Sequence, residues 1–371
     1  MAVCAISATA QLLEHPYTTS ADVEALAREY VSQGMVRRAH QQLRTIRART
    51  SELTGDFAPF TTSTVERASG NAARADRAMS DFIRTRPNAP AVAIAWMERA
   101  LAAVESGNDE ASITLFGQAA ASATTEHRRR TDSLYRILAH TALFWQGASM
   151  ARTGRHAEAL TVFLQAIEAD TKGPYADHAW YTMGQLHERS RQFDSACAMF
   201  GRIRRDYPAG PVAIAARIRE AQNFVILRRP ERAADALTGI DSLLARHERN
   251  DTLLLASQRF AVDGAKHVSM LRIDIAMLRS LYTEAHQRSA DFLTRYPTSA
   301  LRYHVHLQAG QAALWIGKHD EAIGHYDVIL DSISESTNIL RQQALLYRGV
   351  ALRAAGRTKE AQEVFTSLAL Q

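Results

Sequence analysis

The 371-residue sequence has little cysteine and little proline, and each shortage excludes a class of protein. Two cysteines, Cys4 and Cys197, supply neither a disulfide framework nor the spaced ligands of a zinc site. Nine prolines and eighteen glycines are too few for a fibrous or low-complexity chain. No run of about 18 apolar residues occurs, so we expect no transmembrane helix. Cys197 follows Ala196 inside a helical pattern, which predicts an inert, packed thiol.

The excess of positive charge is small for a chain of this length. The net charge is +5 and the isoelectric point is about 9.3, which does not by itself indicate a nucleic-acid partner. Basic clusters at 128–130, 202–205 and 228–229 have no aromatic residues between them. This pattern is typical of polar outer helix faces, so we expect no nucleic-acid binding.

Motifs for catalysis or metal binding are also missing. His187 and His247 are each followed by glutamate, but neither has the second histidine that a zinc protease needs one helical turn later. His304 and His306 would lie on different faces of a helix and are poor joint ligands. No nucleophile elbow, P-loop or dinucleotide-binding glycine motif is present. We therefore predict no enzyme activity, no cofactor and no metal site.

The first ten residues allow two interpretations. Ala8-Thr9-Ala10 before Gln11 has the spacing of small residues that a signal peptidase reads, but the positive segment is missing and the apolar stretch is short. Residues 1–10 are therefore either the remnant of a signal peptide with its true start upstream, or a mildly apolar N-terminus.

Apolar residues recur at three and four positions throughout, which predicts an all-α protein. The phrase GRHAEAL at 154–160 returns as GKHDEAI at 317–323 and as GRTKEAQ at 356–362. The alanine of this phrase marks nine units: Ala39, Ala75, Ala111, Ala159, Ala196, Ala234, Ala285, Ala322 and Ala361. By difference of residue numbers most steps are 36 to 39 residues, and two are 48 and 51. We expect lengthened first helices at 126–139 and 248–265, with Thr131 or Asp132 and Asp251 as N-caps.

The fifth unit shows the fullest motif, with Trp180, Met183-Gly184 and His187, followed by Ala196, Phe200 and Pro208. This order resembles the tetratricopeptide repeat, with its W-x2-L-G-x2-Y, A-x3-F and proline positions. The resemblance implies a right-handed superhelix of about nine helical hairpins, each touching only its neighbours. We divide it into divergent N-terminal repeats at 11–127, central repeats at 128–247 and C-terminal repeats at 248–371.

The repeat positions predict how each hairpin packs. Three turn glycines should adopt a positive φ, and four first-helix glycines should allow close helix approach. Four aromatic residues of the second helix should fill the space toward the next unit. The three sets are, in that order, Gly154, Gly317 and Gly356; Gly147, Gly184, Gly310 and Gly349; and Phe163, Phe200, Tyr326 and Phe365.

The connections between units bear on the location of the protein. Tyr207-Pro208 and Tyr296-Pro297, with steps near 37 residues, resemble repeats of periplasmic bacterial proteins. Examples are the lipoprotein component of outer-membrane protein assembly and the coordinator associated with the Tol–Pal system. The resemblance implies the bacterial cell envelope. The alternatives are a cytoplasmic regulatory module of a signalling or transcription protein and, last, the helical superstructure of a cell-wall enzyme.

In this repeat family, one side of the first helices forms a groove that binds a protein or peptide. The residues that map to this side are Phe144, Arg152, His178, Tyr181, Gln185, Arg189, Arg219, Asn223 and Trp315. Arg219 and Asn223 resemble half of a clamp for a peptide carboxylate, although the other half is not visible. The competing interpretation of all nine residues is ordinary helix surface, with Phe144 and Trp315 partly in the core.

Overall fold

The computed structural model describes residues 58–68, 71–131, 133–248, 255–335 and 338–369. These residues form helices joined by short turns and contain no strand, so the all-α prediction is confirmed for the described part. The predictions on residues 1–10, Cys4, Ala39, Asp132 and Asp251 lie outside it. None of the described helices combines the length and the apolar character of a membrane span.

The described chain forms two compact units that divide between Ala213 and Ile214. The helices of the first unit are α1 (Ala58–Ala68), α2 (Ala72–Thr85), α3 (Val92–Glu105), α4 (Asp109–Arg130), α5 (Ser133–Arg152), α6 (His156–Ala169), α7 (Ala176–Arg189) and α8 (Phe193–Asp206). The predicted boundary between 127 and 128 falls inside α4. The division into three repeat blocks stays a prediction.

The second unit begins in the first turn of a helix. Its helices are α9 (Ala213–Ile226), α10 (Pro230–Leu237), α11 (Ile240–Glu248), α12 (Leu255–Leu278), α13 (Tyr282–Arg295), α14 (Arg302–Trp315), α15 (His319–Ser332), α16 (Ile339–Ala354) and α17 (Thr358–Ala369). Helix α10 has only 8 residues, whereas α13 and α15 each have 14. Thr238 and Gly239 interrupt it, with Gly239 at φ +75°, and α11 continues after them.

Consecutive helices pack in pairs, and the pairs are the predicted hairpins. Between α9 and α10 the contact includes a hydrogen bond from Nε of Arg217 to the Ala236 carbonyl oxygen. The first helices are α1, α3, α5, α7, α9, α12, α14 and α16, and the second helices are α2, α4, α6, α8, α10, α13, α15 and α17. Within each compact unit, second helices also pack against the first helix of the following hairpin. Eight of the nine predicted hairpins lie in the described residues.

The repeated phrase before the second helices α6, α15 and α17 forms a turn followed by a close contact. Gly154, Gly317 and Gly356 have φ values of 80° to 81°, as predicted. The fourth residue of the second helix is fully or almost fully buried in all eight hairpins. In two hairpins that residue is Ser112 or Ala233, so the marker Ala111 was placed one position too early and the marker Ala234 one position too late.

The first-helix glycines make room for an aromatic ring of their own hairpin. A Cβ atom added to Gly184, Gly310 or Gly349 would lie 2.6 Å from a ring carbon of the second helix, and one added to Gly147 would lie 2.9 Å from Phe163. The prediction of close approach is confirmed. Each ring covers the glycine of its own hairpin, and Tyr326 also stacks on Tyr347 of α16 in the following hairpin, with ring centroids 6.2 Å apart. The prediction that the rings fill the space toward the next unit is therefore confirmed for Tyr326 and stays a prediction for the other three.

The two long steps of the repeat consist of lengthened helices. Helix α5 has 20 residues and α12 has 24, which confirms long first helices at both places. The second helix α4 is also long, with 22 residues, so the extra length of the earlier step is shared between two helices. Thr131 is the C-cap of α4 at φ 54° and not the N-cap of α5, which corrects that assignment.

Candidate interaction surface

Four of the nine predicted binding residues are buried in the helical core: Phe144, His178, Tyr181 and Asn223. A side chain that its own chain covers offers little surface to a partner. These four residues therefore belong to the packing of the hairpins and not to an open groove, which corrects their predicted placement.

Phe144 is buried because an aromatic cluster joins α5 to the start of α7. Its ring stacks on Tyr175 with 4.8 Å between centroids and 8° between planes. The Tyr175 backbone N–H donates to Nε2 of His140 at 3.1 Å, and Nδ1 of His140 lies 2.7 Å from the Ala166 carbonyl oxygen. Burial lowers the pKa of His140, so the ring is neutral and can donate at Nδ1 while it accepts at Nε2.

His178 and Tyr181 are held inside α7 by their neighbours. Nδ1 of His178 lies 2.8 Å from Oδ1 of Asp177, which also accepts the backbone N–H of His178 at 2.9 Å. Tyr181 packs against Phe200 of α8 with ring centroids 5.6 Å apart. Sequence spacing places buried and exposed residues of α7 on the same side of the helix. It could therefore not show which of them face the core.

The polar candidates of the first compact unit are at the surface. The Arg152 guanidinium donates to Oδ1 of Asp109 at 2.6 Å and to Oγ of Ser149 at 2.8 Å, which fixes its position at the end of α5. Gln185 is half-buried and Arg189 is exposed, both on α7. Their role in partner binding stays a prediction.

In the second compact unit, Arg219 is half-buried and Trp315 is 57% exposed. Trp315 ends α14 and stacks on Tyr282 of α13, with ring centroids 5.4 Å apart and planes at 14°. Leu281, next to Tyr282, is 44% exposed. We name Leu281, Tyr282 and Trp315 the aromatic patch. The sequence pointed to Trp315, but it could not show which residue supports the indole.

A polar contact links neighbouring first helices in the same unit. Nε2 of Gln308 on α14 donates to Oδ1 of Asp274 on α12. Asp274 Oδ2 and Gln308 Oε1 are shielded from solvent and have no hydrogen-bond partner among the described residues. Burial raises the pKa of Asp274 to about 8, against the Gln308 hydrogen bond that lowers it, so the carboxyl is protonated at neutral pH.

Histidines gather where α13, α14 and α15 meet. Nδ1 of His306 and Nδ1 of His325 are 3.0 Å apart, and Nε2 of His286 is 3.1 Å from Oε2 of Glu321. Burial, followed by the neighbouring histidines, lowers the pKa of His325 to about 4. Across the described residues, no group of three or more histidine, cysteine, aspartate or glutamate side chains is placed to hold a metal ion.

A cavity of about 260 Å³ lies where α10 is interrupted. We name it the arginine cavity, because Arg272 and Arg279 of α12 and Arg288 of α13 line it. Its other lining residues are Ala234, Leu237, Thr238, Gly239, Ile275, Ala276, Leu281 and Glu284. No sequence pattern predicts this cavity, because its residues are scattered over three helices and come together only at the break after Leu237.

Comparison with known proteins agrees with the repeat pattern. One tetratricopeptide repeat profile matches residues 60–127 and 135–174, and a second matches residues 178–209 and 343–371. A tetratricopeptide repeat protein from Parabacteroides merdae is similar at 14% identity and a TM-score of 0.44, covering 74% of this chain and 91% of that one. A thermophilic repeat protein from Thermus thermophilus is similar at 16% identity and a TM-score of 0.34, with coverages of 58% and 99%. No curated protein sequence matches the chain.

Proposed function

Because the chain belongs to the tetratricopeptide repeat family, whose members are typically protein-interaction scaffolds, we propose that it is a non-enzymatic scaffold whose partner docks on the aromatic patch. The partner is a protein or a peptide segment. The exposed Trp315, supported by Tyr282, is the observation that carries this proposal.

The aromatic patch has the properties of a binding anchor. A tryptophan can bury roughly 150–250 Å² of surface, and tryptophan, tyrosine and arginine are enriched among residues that dominate binding energy. Stacking on Tyr282 holds the indole in one orientation. Binding of a partner therefore costs less side-chain entropy than it would if the indole rotated freely.

The proposed location is the bacterial cell envelope, and its support is the resemblance of the segments between units to periplasmic repeat proteins. In the structure, Tyr207 and Tyr296 are the C-caps of α8 and α13, each directly before a proline. Immunoblotting of periplasmic, membrane and cytoplasmic fractions tests the location. Recovery only with a cytoplasmic marker would contradict it and favour the cytoplasmic regulatory module.

The docking proposal is tested by substituting the indole. The partner is first identified by crosslinking and mass spectrometry with the wild-type chain, and its affinity is then measured with purified proteins. Trp315→Ala should weaken binding by about tenfold or more, since anchor residues contribute about 2 kcal/mol or more. The control Leu164→Ala removes an exposed apolar side chain from the second helix α6 and should leave the affinity unchanged.

Two results of this experiment count against the proposal. One is an equal affinity of wild type and Trp315→Ala for the partner. The other is an equal loss in Trp315→Ala and Leu164→Ala. Gln185→Ala and Arg189→Ala are measured beside them, because these residues are the accessible remainder of the predicted groove on α7.

A further inference from the structure

The arginine cavity exists because a second helix stops early. In α13 and α15 the second helix continues for 14 residues, whereas α10 ends at Leu237 after 8. The chain then turns at Gly239, whose φ of +75° is a conformation that favours glycine. The break between α10 and α11 lies at an opening beside α12, and Leu237, Ile275 and Leu281 contribute apolar surface to its lining.

Three arginines, Arg272, Arg279 and Arg288, line this opening together with one carboxylate, Glu284. Arg272 contacts Asp241, Arg279 contacts Glu231, and Arg288 contacts Glu284. Each ion pair uses only some of the five guanidinium N–H groups of its arginine. Nε of Arg279 is shielded from solvent and has no acceptor among the described residues.

The acidic partners of two of these arginines are weakly held. The Glu231 side chain is 79% exposed and the Asp241 side chain is 68% exposed. Exposed ion pairs contribute only about 0–1 kcal/mol, so an incoming anion can displace them at little cost. A guanidinium group binds carboxylate oxygens in a two-pronged geometry, which suits a cavity with several arginines.

The aromatic patch borders the same opening. Leu281 lines the cavity and also belongs to the patch, and Tyr282 follows it directly. Positive charge and apolar surface therefore lie side by side on one end of the hairpin α12–α13. We propose that the arginine cavity binds a carboxylate of an acidic segment of the protein partner, while a neighbouring apolar side chain of that segment packs on the aromatic patch.

This proposal rests on the proposed function and adds the chemistry of the partner to it. A protein segment fits better than a nucleic acid, because leucine and alanine side chains make up much of the lining and the basic residues do not continue along it as a track. Three arginines and one glutamate line the cavity, and the exposed carboxylates of Asp241 and Glu231 pair with two of these arginines. An acidic segment that displaces these two carboxylates therefore meets an excess of positive charge.

The test uses the full chain and a short fluorescein-labelled peptide in which glutamate alternates with leucine. Fluorescence anisotropy gives the affinity, and a peptide in which glutamine replaces glutamate is the matched probe. The glutamate peptide should bind at least about tenfold more tightly than the glutamine peptide, and more weakly as salt is added. Arg279→Gln should weaken binding of the glutamate peptide about tenfold and leave binding of the glutamine peptide unchanged. Arg279→Lys should weaken binding of the glutamate peptide less.

The control Arg84→Gln removes the same charge from an exposed ion pair on α2 and should change nothing. Thermal melting of each variant shows that it is folded, and Arg272→Gln and Arg288→Gln repeat the test if Arg279→Gln unfolds the chain. Equal binding of the two peptides, or an unchanged affinity in all three arginine variants, would overturn the proposal. Tighter binding of a labelled oligonucleotide with the same dependence on Arg279 would overturn it as well.

The two proposals fail in different ways. If Trp315→Ala weakens binding of the natural partner and Arg279→Gln does not, the docking surface stands and the carboxylate site is wrong. If both variants bind the natural partner as wild type does, both proposals are wrong.

Discussion

Replacing Asp274 by asparagine should stabilise the protein above neutral pH. The carboxyl of Asp274 accepts a hydrogen bond from Gln308 across two first helices, and burial raises its pKa from 3.8 to about 8. The folded chain therefore keeps a proton that the unfolded chain releases above pH 4. Because the unfolded state binds fewer protons, this group makes the free energy of unfolding fall as the pH rises from about 4 to about 8.

The magnitude follows from the shift in pKa. A rise of about 4 units, at about 1.4 kcal/mol for each unit, sets a ceiling of about 6 kcal/mol between pH 4 and pH 8. Local relaxation and water entry reduce such values, so we expect about 2 kcal/mol. Asparagine removes the titration and keeps an oxygen for Gln308. Its NH₂ group can also donate to Gln308 Oε1, which has no partner among the described residues.

The assay is urea unfolding of wild type and Asp274→Asn at pH 5, 7 and 8.5, followed by circular dichroism. The variant should gain stability over wild type as the pH rises. Asp291→Asn, which alters an exposed carboxylate on α13, serves as the control and should run parallel to wild type. A constant difference in the free energy of unfolding between Asp274→Asn and wild type over the whole pH range would show that Asp274 does not titrate with a raised pKa.

Two further predictions concern the packing of α14 on α15. Gly310→Ala should lower the free energy of unfolding by about 1–3 kcal/mol, because its Cβ would lie 2.6 Å from the Tyr326 ring. Gly324→Ala should raise it by about 0.5–1 kcal/mol, because no atom lies within 4 Å of the added Cβ. Loss of stability in both variants would contradict this. His325 has a pKa lowered to about 4, so the unfolded state binds more protons between pH 6.5 and pH 4 and stability should fall on acidification. His325→Gln should lose less thermal stability than wild type between pH 7 and pH 5, although it changes the contact with His306, and an equal loss in both proteins would count against the argument.

The hairpin architecture could be predicted because its signals are local. Gly154, Glu158 and Ala159 lie within six consecutive residues, and each has a role that follows from backbone conformation, the helix dipole or close packing. The same phrase recurs along the chain, so the period could be counted without knowledge of the packing. The lengthened helices α5 and α12 could be predicted for the same reason, since they were the only places where the period failed.

The candidate site could be predicted only in part, because the direction of a helical side chain depends on its exact position in the repeat. A shift of one residue turns a side chain by about 100° around a helix. The marker of the sixth unit is Ala233 and not Ala234, and the one-residue error carried over to Arg219 and Asn223. Asn223 is consequently buried. Trp315 was found because its exposed position lies at the end of α14, where the register of the motif was correct.

The arginine cavity could not be predicted from the sequence. It depends on α10 ending after Leu237, although Ala236 and Leu237 continue the helical pattern of the repeat. Gly239 marks a turn, but a single glycine does not tell whether the chain leaves the repeat or resumes it. Arg272, Arg279 and Arg288 also looked like the other arginines of the outer helix faces until the break placed them around one opening.

Site-specific photo-crosslinking tests directly whether the partner docks on the aromatic patch. A photoreactive phenylalanine analogue is placed at position 315 on the aromatic patch and, in a second chain, at position 164 on the second helix α6, and adducts formed in living cells are mapped by mass spectrometry. A discrete protein adduct should form from position 315 and not from position 164. Adducts that are the same at both positions, or none at position 315, would contradict docking on the aromatic patch.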